Sequence, residues 1–279
     1  MKLIIIAALL TIAMTGCGGG KVSSTVDTIK VDAKRLNLRG NELYYQGRYE
    51  DAARLYGRAL SISEGIDYEE GVAESLNNLG QLYLVAGSYD DACAKFREAL
   101  EINDRIGNLK GAGANLNNIG SSQMAKGDLA AARLSFSGAM KRYRDANDSE
   151  GIATVLNNEA LVDIESGEFV AAREKLSRSL AISIPKKLHR LSATSYYALG
   201  RLDERQGSLD DAINSYSRAL SEDKLVEYSN GIAKDLAALS RVSGALGRDK
   251  DAADYMKRAR NTGLRKTEAG KKEGLRIKD

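Results

Sequence analysis

Three pairs of asparagines recur at intervals of 40 residues, inside the matching strings Leu76-Asn77-Asn78-Leu79-Gly80, Leu116-Asn117-Asn118-Ile119-Gly120 and Leu156-Asn157-Asn158-Glu159-Ala160. A carboxamide carries donors and an acceptor, so a ladder of them can hold the N–H and C=O groups of another chain whatever its sequence. Binding is the chemistry these residues offer. Catalysis has little to draw on: the one histidine, His189, lies in a basic stretch with Lys186, Lys187 and Arg190, and no nucleophile motif appears. No cysteine or histidine cluster has the spacing of metal ligands. The sequence therefore predicts no enzyme, no metal and no cofactor. The paired acids Asp90-Asp91 and Asp210-Asp211 are expected at helix starts, where the helix dipole favours negative charge.

What positions the asparagines is a repeat. Gly47, Gly87, Gly127, Gly167, Gly207 and Gly247 stand 40 residues apart, and five residues after each comes Ala52, Ala92, Ala132, Ala172, Ala212 or Ala252. A fixed period of this size marks a solenoid, whose units bury their apolar faces against neighbours and offer an extended concave surface. In the second period Leu76, Leu79, Gly80 and Tyr83 fall at helical spacing, Gly87 breaks the helix, and Tyr89, Ala92, Phe96, Ala99 and Leu100 resume it. Each unit reads as a helix hairpin and the chain as all-α, with six units over residues 31-262.

Composition agrees. The 279 residues exceed the usual single core, which a solenoid escapes, and the chain holds one proline, Pro185, and no tryptophan. A formal charge of +3 and a pI near 8.7 are too mild to call for a nucleic acid partner. Basic residues crowd the end, from Lys257 to Lys278, and residues 263-279 read as a solvated tail, with weak contact to anionic lipid or polysaccharide as the alternative.

The unit resembles the tetratricopeptide repeat, whose small positions recur here as Gly40, Gly80, Gly120 and Gly200 and whose aromatic positions recur as Tyr56, Phe96, Phe136 and Tyr216. The resemblance implies a right-handed superhelical solenoid. Units of 40 residues with paired asparagines are similar to those of kinesin light chains and of cell-polarity adaptors that capture linear peptides. In those families the second asparagine of each pair points into the concave groove and bonds the backbone of an extended peptide. Carried over, that role falls to Asn78, Asn118 and Asn158, with Asn77, Asn117, Asn157, Gln81 and Ser121 beside them. Leu84, Met124, Leu161 and Ile164 would add apolar pockets. The alternative is structural, with the amides bonding adjacent helices and stiffening the stack. Asn37-Leu38, Tyr197-Ala198 and Ala237-Ala238 at the equivalent sites confine the ladder to the middle hairpins. Ala114 and Asn118 occupy positions where a carboxylate clamp for chaperone C-termini would need basic residues.

The N-terminus carries an address. Lys2 and the apolar run Leu3 to Ala13 are too short to span a bilayer but fit an export signal, and Met14-Thr15-Gly16-Cys17 resembles the lipobox of bacterial lipoproteins. The resemblance implies a signal peptide at 1-16, acylation of Cys17, and a flexible tether through residue 30 rich in glycine and serine. Residue 18 is Gly rather than Asp, which resembles the rule that sends lipoproteins to the outer membrane of a cell with two. With Cys17 acylated, Cys93 is left alone and is expected as a small buried apolar residue. Together these readings imply a lipid-anchored scaffold that binds an extended segment of a partner protein. The alternative is an envelope assembly factor resembling the pilotins of type IV pili.

Overall fold

The computed structural model describes the backbone of residues 25–267 and the side chains of residues 25–262. Cys17, the signal segment 1-16 and residues 268–279 of the basic tail lie outside the described residues. Twelve helices and no strand are found within them. They pair into six hairpins: α1 Thr25–Tyr45 with α2 Tyr49–Gly65, α3 Glu69–Ala86 with α4 Tyr89–Arg105, and α5 Leu109–Lys126 with α6 Leu129–Asp145. The series continues with α7 Ser149–Ser166 and α8 Phe169–Ser183, α9 His189–Arg205 and α10 Leu209–Leu225, and α11 Ser229–Ala245 and α12 Asp249–Thr267.

Two boundaries differ from the sequence reading. Residues 25–30, placed in the tether on composition, are helical, with Asp27 in the first turn of α1 against the positive end of the dipole. At the other end α12 continues past 262 to Thr267. Propensity at these ends is too weak a signal against the docking of a hairpin's helix on its neighbour.

Each ladder glycine closes a hairpin. Gly87 has φ 80°, Gly127 has 91° and Gly167 has 80°, a left-handed conformation that a side chain resists. Inside the hairpin, the alanines Ala52 to Ala212 of the ladder are fully buried, while Ala252 in the last unit is half-buried. The aromatic four residues on lies against the glycine of its own first helix. A methyl group on Gly120 would stand 2.6 Å from Cε1 of Phe136, and Gly80 and Phe96 repeat the same fit. In the fourth unit both partners change together, Ala160 for the glycine and Leu176 for the ring, and both are fully buried. The same rings also reach the next hairpin, Phe136 sharing a cluster with Val162 and Phe96 with Ile119. Replacing Ala132 with leucine should overpack this seam and lower stability by about 1–3 kcal/mol, read by urea or thermal denaturation.

Curvature follows from unequal packing. Each first helix packs closely on the first helix of the next hairpin, α1 on α3 through to α9 on α11, whereas successive second helices stand further apart and are reached by long side chains, as Arg142 of α6 reaches Asp104 of α4 at 2.9 Å. The closer-packed layer must lie on the inside of the bend, so the odd-numbered helices line the concave side. No described helix is long and apolar enough to cross a membrane.

Candidate peptide-binding face

The paired asparagines sit on α3, α5 and α7, and they bond to one another. Asn118 Nδ2 donates to Oδ1 of Asn77 at 2.9 Å, and Asn158 Nδ2 donates to Oδ1 of Asn117 at 2.7 Å. The first amides of the lower two pairs thus accept from the second amide of the next unit. Asn115 adds to the lower rung, giving its Nδ2 to Asn77 at 3.1 Å and accepting from Asn103 at 2.7 Å. Buried carboxamides rarely stay unpaired, and this arrangement pairs them across hairpins.

The rung below is incomplete. Asn78 is buried and its Nδ2 has no partner, while Asn37, at the equivalent of the acceptor position, donates its own Nδ2 to Ser75 at 3.1 Å. The rung above is also different: Asn157 is buried and accepts from Ser195 at 2.8 Å. Ser121 is half-buried and donates to the carbonyl of Asn117 at 3.0 Å, and Gln81 is half-buried beside the ladder. Leu84, Met124 and Leu161 are partly buried against core clusters. Ile164 is not a groove residue: it is fully buried in the core with Leu176 and Leu202, because it lies on the side of α7 that faces the hairpin interior.

What remains open on this face is the acceptor side. Asn118 and Asn158 are part-exposed, their Nδ2 groups are tied down, and among the described residues no group donates to their Oδ1 atoms. Each rung bond therefore orients a free carbonyl oxygen, the acceptor that an incoming backbone N–H needs.

His189, unpartnered in the sequence reading, is paired in the fold: its Nδ1 lies 2.7 Å from Oε2 of Glu222 on α10. It ties together the two helices of the fifth hairpin. Cys93 is buried against Phe96 and Ile119. No group of three or more metal-ligating side chains occurs among the described residues.

A second set of residues on the concave side carries no signal in its own stretch of sequence. The guanidinium of Arg190, on α9, lies 4.7 Å from the ring centroid of Tyr45, at the end of α1, and 4.4 Å from that of Tyr228, just before α11. Lys234 Nζ sits 3.9 Å from the Tyr197 ring centroid. These groups line one cavity of about 640 Å³ together with Thr154 and Asp235. Aligning the units would have flagged Asp223 and Asp235, which stand where other units carry serine, asparagine or, at one junction, Tyr143 and Val155. The contact between the first and fifth hairpins depends on curvature alone.

Stacked helix hairpins with a polar inner face define a binding scaffold of the solenoid class. The tetratricopeptide repeat signature matches residues 33–108 and 152–222, and the chain belongs to that family, whose members are protein–protein interaction scaffolds. No curated protein matches the sequence. Among solved structures the chain is similar to BtubC (BKLC) from P. vanneervenii, at 17% identity and a TM-score of 0.58, covering 91% of this chain and 96% of that one. A Rap protein complexed with competence and sporulation factor matches at 15% identity and 0.63, covering 86% and 77%. Pseudomonas aeruginosa pilF matches at 17% and 0.52, covering 87% and 96%. Identities this low establish the fold alone.

Proposed function

We propose that this chain is a scaffold fixed to an envelope membrane by acylated Cys17, whose concave face holds an extended segment of a partner protein without chemical turnover. The observation that carries the reading is the pair of oriented carboxamide oxygens on Asn118 and Asn158, which take no hydrogen bond among the described residues and stand one repeat apart on the inner face. Asn78 is the third position, with a buried amide that needs an acceptor. Asn77, Asn117, Asn157, Gln81 and Ser121 hold or flank these groups. Hydrogen bonds contribute roughly 0.5–1.5 kcal/mol each, so three grips alone give binding in the micromolar range or weaker, and neighbouring pockets or avidity must supply the rest. In a cell with two membranes, the periplasmic face of the outer membrane is the proposed location, with Gly18 beside the anchor.

A pull-down from the native envelope in mild detergent tests the groove, run beside a variant with Asn78, Asn118 and Asn158 all changed to alanine. Partners that appear only with the unaltered chain support the groove. Identical captures would make the ladder structural, and a ring-forming pore protein among them would favour the assembly-factor reading. Alanine also removes rung bonds, so both proteins are compared by helicity and melting temperature. The anchor is tested separately: Cys17→Ser should move the protein from the membrane fraction to the soluble one.

A further inference from the structure

The junction between the fifth and sixth hairpins breaks a rule that the other junctions keep. Where the second helix of one hairpin meets the first helix of the next, two equivalent positions carry Ser63 and Ser75, Asn103 and Asn115, Tyr143 and Val155, or Ser183 and Ser195. All of these are neutral. At the last junction they are Asp223 and Asp235, and both are buried, 4% and 2% exposed.

Two ionised carboxylates in that position would repel each other without water to screen them. Asp235 Oδ2 finds no donor among the described groups. A carboxylate oxygen there is orphaned, whereas a carboxylic acid is satisfied, since Asp235 then donates its proton to Asp223. Burial is the first cause lifting both groups, Asp223 to about 6 and Asp235 to about 8, and the neighbouring Asp223 charge raises Asp235 further.

The pair is coupled to the contact that spans the concave side. The Tyr228 backbone N–H donates to the Asp223 carbonyl at 3.0 Å, and the Arg190 guanidinium lies 4.4 Å from the centroid of the Tyr228 ring and 4.7 Å from that of Tyr45 of the first hairpin. Arg190 and Tyr45 are solvent-exposed, so this bridge is reversible. The charged or titratable groups facing the pair are Arg190 and Tyr197 from α9, Glu222 from α10 and Lys234 from α11, with Tyr45 and Glu150 across the cavity. None of the cations lies within ion-pair distance of either carboxyl among the described residues, so nothing replaces the proton when it leaves.

We propose that Asp223 and Asp235 form a proton-operated latch, which holds the sixth hairpin in place while they share a proton and releases Tyr228, Arg190 and Tyr45 when that proton is lost. The Tyr45–Arg190–Tyr228 bridge closes the concave side between its first and last hairpins, and its release opens access to the inner face. The sign follows from the pair's environment. Free aspartates ionise near 3.8, so the closed form is fully favoured below about 4 and is progressively disfavoured as pH rises towards 8.

Pulsed electron spin resonance on the full chain in detergent tests the latch with no partner present, so its outcome is independent of the groove reading. Nitroxides at exposed Arg35 and Lys250 report the distance between the first and last hairpins. The unaltered chain should give a short, narrow distribution at pH 5.5 and a longer, broader one at pH 9. Asp235→Asn places a neutral donor beside Asp223 at every pH and should stay short at both. Arg190→Ala should be long at both. A wild-type distribution that does not change with pH, or an Asp235→Asn variant that opens as the wild type does, overturns the proposal. Unchanged helicity by circular dichroism at both pH values separates opening from unfolding.

Discussion

Changing Asp163 to alanine is expected to destabilise the array by about 3–5 kcal/mol, the loss typical of a buried ion pair deprived of one partner. Asp163 is fully buried on α7, and two cations converge on it: Arg133 of α6 at 2.7 Å and Lys175 of α8 at 2.5 Å. Arg133 belongs to the third hairpin and Lys175 to the fourth, so one carboxylate fastens both the junction and the hairpin. Without it both cations stay half-buried, with Glu168 and the Ser166 hydroxyl left to Arg133 and Glu159 to Lys175 at 4.0 Å. The substitution Asp163→Asn would restore shape without charge and should recover part of the loss. Asp203 repeats the device one unit on, bonded to Arg173 at 2.7 Å and Ser215 at 2.9 Å, so its alanine variant should behave alike. Urea unfolding monitored by circular dichroism measures the effect. Because a solenoid's stability is a sum over units and interfaces, damage at one junction should also broaden the transition or split it.

Phe136→Ala should cost a similar amount, about 3–5 kcal/mol, by a different route. The ring is fully buried and lies on Gly120, which has no side chain to move into the space left behind. Val162 on the next hairpin loses contact as well, so the cavity opens at an interface rather than within one unit. The fourth unit shows how the loss can be relieved, since Leu176 there packs with Ala160 in place of ring and glycine. A double variant, Gly120→Ala with Phe136→Leu, should therefore be more stable than either Gly120→Ala or Phe136→Ala alone. A double variant that merely sums its two penalties would mean that the positions are not coupled through shared volume.

Much of the architecture was legible because a repeat states its fold many times over. One glycine at a hairpin turn is weak information, but six in register fix the unit length, and the alanine and aromatic ladders fix which faces pack. Helix ends were less legible, since Thr25 and Thr267 lie beyond the periodic core, where no repeated position marks the boundary. At the candidate site the sequence identified the asparagines but not their wiring. In the second and third pairs the second amide gives its N–H to the previous unit, whereas Asn78, identical in motif, has a buried Nδ2 without a partner, and Asn37 in the previous unit bonds Ser75 instead.

The sequence by itself determined the hairpin and the 40-residue period, because each depends on interactions within a unit or between adjacent copies of it, while the groove placement of the paired asparagines was implied by resemblance to peptide-binding repeats. The tertiary structure alone decided which amide atoms remain free, which carboxylates sit among cations and which face each other, and that Tyr45 meets Arg190 from the far side of the bend. The accumulated rotation of four successive hairpins sets that meeting. A small change of angle at each junction moves the ends by many ångströms, and no local pattern records the total.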